Sequence, residues 1–172
     1  MFGFRKNKWT PIDTKVNMYH DLRSQALNLK LSQIQTAIKP GYECPVYGAV
    51  IDMVFGEATA TMIFMLDGAA SLYYSNGGGI IGVGERYPEV REEGFNLLAN
   101  MVQLLEFFEI TKDFSLPTND SACFAFFLTE DGVYKTAFHM DRDDEGDIYN
   151  FINHYIQNLL TSIRVNTQKD GY

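Results

Sequence analysis

The stretch that decides the fold is "VYGAVIDMVFGEATATMIFMLDGAASLYYS", residues 46–75. It is rich in β-branched and aromatic residues and is interrupted twice, at Gly56-Glu57 and at Asp67-Gly68. Such a run reads as three strands of a meander, because those side chains suit a pleated, half-buried surface and the glycine pairs reverse the chain. Asp-Gly is the stronger turn signal, since a two-residue type I′ loop needs positive φ at both central positions.

The turns also predict register. Counting outward from two-residue loops pairs Phe55 with Ala58, Val54 with Thr59 and Asp52 with Thr61, then Leu66 with Ala69 and Thr61 with Tyr74. Asp52, Thr61 and Tyr74 then form one row across three strands and point the same way. Val50, Ile63, Met65 and Leu72 share that face, which is therefore polar at one end and apolar at the other. The opposite face, with Ile51, Met53, Ala60, Met62, Phe64 and Leu66, is the better core. A mixed face suits contact with a partner chain or a second copy, the polar row setting register. Alternatively the first or last helix covers it, and Asp52 hydrogen-bonds to Thr61 and Tyr74 as buried polar groups do.

Helical patterns flank the meander. In "VNMYHDLRSQALNLKLSQIQTAIK", residues 16–39, Leu27, Leu31, Ile34 and Ile38 recur at intervals of four, three and four, which lines one helix face before Pro40-Gly41 ends it. In "PEVREEGFNLLANMVQLLEFF", residues 88–108, Pro88 suits a first helical turn, and Leu97, Met101, Leu104 and Phe108 form a stripe widened by Leu98, Val102 and Leu105. "SACFAFFLTEDGVYKTAFHM", residues 121–140, is a second hairpin around Asp131-Gly132, its first arm apolar on both faces like a central strand. A last helix carries Ile148, Ile152, Tyr155, Leu159 and Ile163. The expected fold is α+β: a mainly antiparallel sheet of about five strands in α-βββ-α-ββ-α order, packed with three helices. The expected bounds are a leader over residues 1–16, one domain over 17–165 and a tail over 166–172.

Composition narrows the function. A chain of 172 residues with 46% hydrophobic residues supports one core without disulfides or metals. A formal charge of −8 repels nucleic-acid phosphates. No apolar run reaches the length of a membrane span and no secretory leader is evident, so the expected location is cytoplasmic. Cys44 and Cys123 lie far apart without metal or redox spacing. The opening "MFGFRKNKW" sets Arg5, Lys6 and Lys8 among Phe2, Phe4 and Trp9, a composition that fits a membrane-surface or partner anchor, or simply a terminus outside the fold.

Three segments invite chemistry. In "SNGGGIIGVGERYP", residues 75–88, Gly77, Gly79 and Gly82 satisfy GxGxxG, with Gly78 between the first two and Arg86 nearby as an anion partner. The dinucleotide context is lacking, because the helix starts near Pro88 and the position about 20 residues on falls inside it. Nor does a lysine follow to make a Walker loop, so a mobile connection with positive-φ glycines is the plainer reading. "DRDDEGD", residues 141–147, places Asp141, Asp143, Glu145 and Gly146 at EF-hand positions, but Ile152 stands where the bidentate glutamate belongs. It reads as an acidic run opening the last helix. His20, His139 and His154 sit in different elements, and His139 beside Asp141 has no nucleophile paired with it. No catalytic residue, cofactor or metal site is assigned.

The helix, three strands, helix, two strands, helix order and the acidic balance resemble those of the class I type III secretion chaperones and their chaperone-like relatives, from Asn17 onward. That resemblance implies a dimer that binds an extended polypeptide segment. The expectation is a non-enzymatic, chaperone-like or adaptor-like protein, a possible homodimer with a protein or peptide partner, its candidate contacts being Asp52, Thr61, Tyr74, Gly77, Gly78, Gly79, Gly82 and Arg86. Two alternatives stand beside it: a small-molecule or nucleotide sensor or enzyme using the glycine loop with Arg86, Asp52 and Tyr74, and an immunity-type inhibitor of a toxin.

Overall fold

A computed structural model describes residues 11–171. Helix α1 (Pro11–Leu27) is followed by the short α2 (Leu31–Ile34) and a 3₁₀ turn over Gln35–Ala37. Then come β1 (Gly48–Phe55), β2 (Ala58–Met65), β3 (Ala70–Tyr74) and β4 (Gly79–Ile81). Helices α3 (Val83–Arg86) and α4 (Pro88–Met101) and a 3₁₀ segment, Val102–Phe107, lead to β5 (Glu109–Thr111), β6 (Ala122–Thr129), β7 (Gly132–His139) and α5 (Asp147–Lys169). The strands form one antiparallel sheet in the order β4-β3-β2-β1-β6-β7-β5.

The α+β class and the antiparallel sheet are as expected, but among the described residues the strands number seven rather than about five. The two additional ones are the edges, β4 and β5, each three residues long. Neither has a period-two pattern long enough to read: β4 is cut from the glycine segment and β5 follows directly on a helical stripe. The apolar first arm of the second hairpin, β6, is central as expected, lying between β1 and β7.

The first helix also differs. The stripe from Leu27 to Ile38 does not lie on one continuous helix, because α1 ends at Leu27. Asn28 Nδ2 donates to Ser24 O at 2.8 Å and the Leu29 amide donates to Ala26 O at 3.2 Å. Tyr47 Oη then donates to Leu29 O at 2.8 Å, so the break leaves that carbonyl satisfied. At the chain ends, α1 starts inside the expected leader and α5 runs into the expected tail.

Register is right in the first hairpin and slips in the second. Phe55 faces Ala58 and Asp52 faces Thr61, but Thr61 faces Tyr73 rather than Tyr74 and Phe64 faces Ala70. The loop holds three residues, Leu66, Asp67 and Gly68, not two. Gly68 has φ of 93°, and Asp67 Oδ1 accepts a hydrogen bond from the Ala69 amide at 3.0 Å. A type I turn closed by a left-handed glycine has this form. Since side chains alternate along a strand, one residue of slip moves Leu72 and Tyr74 to the opposite face and brings Tyr73 to the face of Asp52.

Helices cover both faces of the sheet. The face of Ile51, Met53, Met62 and Phe64 lies under α4 and α5, where Leu97, Leu98, Met101, Ile152, Ile156, Leu159 and Ile163 are buried. The face of Asp52 lies under α1.

Candidate functional site

The predicted polar row proves to be a buried network beneath α1. Asp52 and Thr61 are both 0% exposed. Arg23 of α1 straddles the Asp52 carboxylate: Nε donates to both oxygens at 3.0 Å and Nη2 donates to Oδ2 at 2.6 Å. Thr61 Oγ1 donates to Asp52 Oδ1 at 2.6 Å, and Tyr19 Oη lies 2.6 Å from Thr61 Oγ1. A hydroxyl carries one hydrogen and that of Thr61 is committed to the carboxylate, so Tyr19 is the donor. Burial, with the Asp52 charge adding to it, pushes the Tyr19 phenol above its usual range against the opposing Thr61 bond. The Arg23 guanidinium also sits 5.7 Å from the Phe126 ring centroid. Asp52 and Thr61 therefore fasten a helix, and Tyr74 is not in their row: it lies on the far face of the sheet. Arg23 and Tyr19 are the members that sequence reasoning missed, although their spacing of four on a helix places both on one side.

The glycine segment is a hairpin and an edge strand. The Gly77 amide donates to Tyr74 O at 3.0 Å and the Tyr74 amide to Gly78 O at 3.2 Å, which closes the β3–β4 turn. Gly79 pairs with Tyr73, and Gly82, with φ of 72°, precedes α3. Gly77, Gly78 and Gly79 border a depression of about 240 Å³ together with Met18, Tyr19, Leu22, Tyr73, Tyr74 and Ile81. No charged side chain lines that depression among the described residues. Arg86 lies outside it, with its guanidinium 6.0 Å from the Tyr87 ring centroid. Arg91 binds the backbone of this segment, its Nη1 donating to Gly84 O at 2.6 Å.

In the acidic run, Glu145 turns back onto β7. Its Oε2 accepts from the His139 amide at 2.8 Å, and its Oε1 lies 2.6 Å from His139 Nδ1. The His139 amide bond foremost, and the ring contact after it, hold the Glu145 carboxyl below its usual range. The partner of His139 is thus Glu145 rather than Asp141. Among the described residues no group of three or more His, Cys, Asp or Glu side chains is placed to hold a metal ion. Asp147 opens α5, where a carboxylate favours the positive end of the helix dipole.

A further concavity was not foreseen. Between α5 and strands β1–β4 lies a groove of about 830 Å³. Phe55, Ala58, Ala60, Leu72 and Ile80 line it from the sheet and Leu160, Ile163 and Thr167 from α5, with Ala60, Leu72, Ile163 and Thr167 themselves buried. Asp141 and Arg164 lie among its polar rim residues. Phe55 is 49% and Tyr74 37% exposed at its mouth. The register slip creates this floor, since it brings Leu72 and Tyr74 to this face. The α5 wall runs from Gln157 to Gln168, about 16 Å at the rise of a helix.

The chain matches no protein-family model, no curated protein and no solved structure. No helix among the described residues is long and apolar enough to cross a membrane.

Proposed function

We propose that this chain is a non-enzymatic, chaperone-like or adaptor-like protein that binds an apolar polypeptide segment with basic flanks in the groove between α5 and strands β1–β4. One observation carries the reading: an open apolar trough of about 830 Å³ in a chain of formal charge −8. Apolar side chains seated on Phe55, Ile80 and Leu160 supply the affinity, and cationic flanks answer the acidic surface. A wall of about 16 Å matches three turns of helix or five residues of strand.

Homodimerisation and a cytoplasmic location are further parts of the proposal. The first is implied by the resemblance to type III secretion chaperones and is read by light scattering after size exclusion. The small-molecule or nucleotide-sensor reading draws no comparable support, since Asp52 and Tyr74 lie on opposite faces of the sheet.

The test is fluorescence anisotropy of a labelled synthetic peptide, Phe and Leu alternating between lysine flanks, titrated with the protein and with Leu160→Lys. Saturable binding weakened about tenfold or more by the substitution supports the groove. Binding indifferent to the substitution overturns it.

A further inference from the structure

The groove has a candidate occupant in the same chain. We propose, building on the groove reading above, that the segment Met1–Thr10 is a ligand of this groove in cis, an internal occupant that any external segment must displace. The first argument is chemical. Those ten residues hold Phe2, Phe4 and Trp9, three of the chain's 14 Lys and Arg residues, and none of its 22 Asp and Glu. An apolar, basic segment is what an apolar trough in an acidic protein accepts. Phe2 and Phe4 are spaced by two, so an extended segment presents both to one surface.

The second argument is position. The segment joins α1 at Pro11. Met18, Tyr19 and Leu22 of α1 pack at the glycine hairpin with Tyr73, Tyr74 and Ile81. Tyr74 borders both that depression and the groove, so α1 enters the fold at the corner where the groove opens. The edge strand β4, three residues long, borders both, with Ile80 on the groove and Ile81, 70% exposed, on the depression. Ile81 on the depression, Tyr74 on both and Phe55 on the groove are exposed apolar side chains. Ten extended residues span up to about 33 Å, more than enough to round a single strand.

The chain supplies its own reporter, because Trp9 is its one tryptophan. The measurement is Trp9 emission and acrylamide quenching in the full chain, against a free synthetic Met1–Thr10 peptide. The expected result is blue-shifted emission and several-fold weaker quenching in the protein, independent of protein concentration. In Leu160→Lys, and in Ala58→Lys should the first fail to fold by circular dichroism, emission returns to that of the free peptide.

Emission and quenching equal to those of the free peptide overturn the proposal. So does burial unaffected by either folded groove variant, and so does burial that appears only as concentration rises, which assigns the segment to a second copy. The full-length Phe2→Asp/Phe4→Asp variant separates this inference from the groove reading. If that variant binds the labelled Phe/Leu/Lys peptide no more tightly than the unaltered chain, the segment does not compete for the groove and the inference falls alone. If neither protein binds the peptide, the groove reading falls with it.

Discussion

The ring of Phe64 occupies the space that a side chain at position 94 requires: a Cβ built on Gly94 lies 2.1 Å from Phe64 Cε2 and 2.2 Å from Cδ2. Helix α4 approaches the sheet this closely only because the residue there has no side chain, and α5 takes its position against α4 and the same sheet face.

Gly94→Ala tests that approach. In an exposed helix interior the change gains about 0.5–1 kcal/mol of helix propensity. Here the overlap with a fully packed ring wins, and a net loss of about 1–3 kcal/mol is expected in urea denaturation. Adding Phe64→Leu should relieve part of it, so the double variant is more stable than the sum of the two singles implies.

Removing the cation from the buried pair strands its partner. Arg23→Met leaves the Asp52 carboxylate buried with Thr61 as its remaining side-chain hydrogen-bond partner among the described residues, and a loss of about 3–5 kcal/mol is expected. Arg23→Met/Asp52→Leu removes both charges and should recover most of that loss, because a buried pair exchanged for apolar groups is close to neutral. Denaturation midpoints of the three proteins decide the matter, and a double variant no better than Arg23→Met refutes the account.

Thr61→Val keeps the shape of the side chain and removes the hydroxyl between Tyr19 and Asp52. The Tyr19 hydroxyl then has no acceptor there, and a loss of about 1–3 kcal/mol follows. In Tyr19→Phe/Thr61→Val the stranded donor is gone as well. That pair should be less costly than additivity of the single changes, again measured by denaturation.

Acid stability should depend on Glu145. Its carboxyl is depressed in the folded protein by the His139 amide and ring. The unfolded chain therefore binds the proton first as pH falls. The contribution is fully present above the ordinary glutamate value of about 4.3 and disappears as pH drops through the lower folded value. Glu145→Gln should accordingly show a shallower fall in Tm between neutral pH and about pH 3 than the unaltered chain. Equal slopes refute the assignment.

Much of the fold is legible in local pattern. The strands of residues 48–74 follow from β-branched and aromatic density, the first hairpin register from Gly56-Glu57, and the core stripe of α5 from the spacing of Ile152, Leu159 and Ile163. The break after Leu27 is not legible, because it depends on the Tyr47 hydroxyl arriving from eighteen residues away to take the Leu29 carbonyl. The edge strands escape notice because three residues are too few to show a period and glycine has no strand preference to show.

The candidate site divides in the same way. Sequence alone placed Asp52 beside Thr61, fixed the α+β class and the antiparallel pairing, and set an acidic chain around a mixed sheet face. Only the tertiary structure decided that α1 fills that face through Arg23 and Tyr19, that the Asp67-Gly68 loop takes a third residue, and that the open apolar surface lies on the other side. Local propensity and turn chemistry act over a few residues and can be read along the chain. Which helix covers which face, and where a crossing helix leaves a gap, depends on contacts between residues far apart in sequence, and those exist only once the layers have packed.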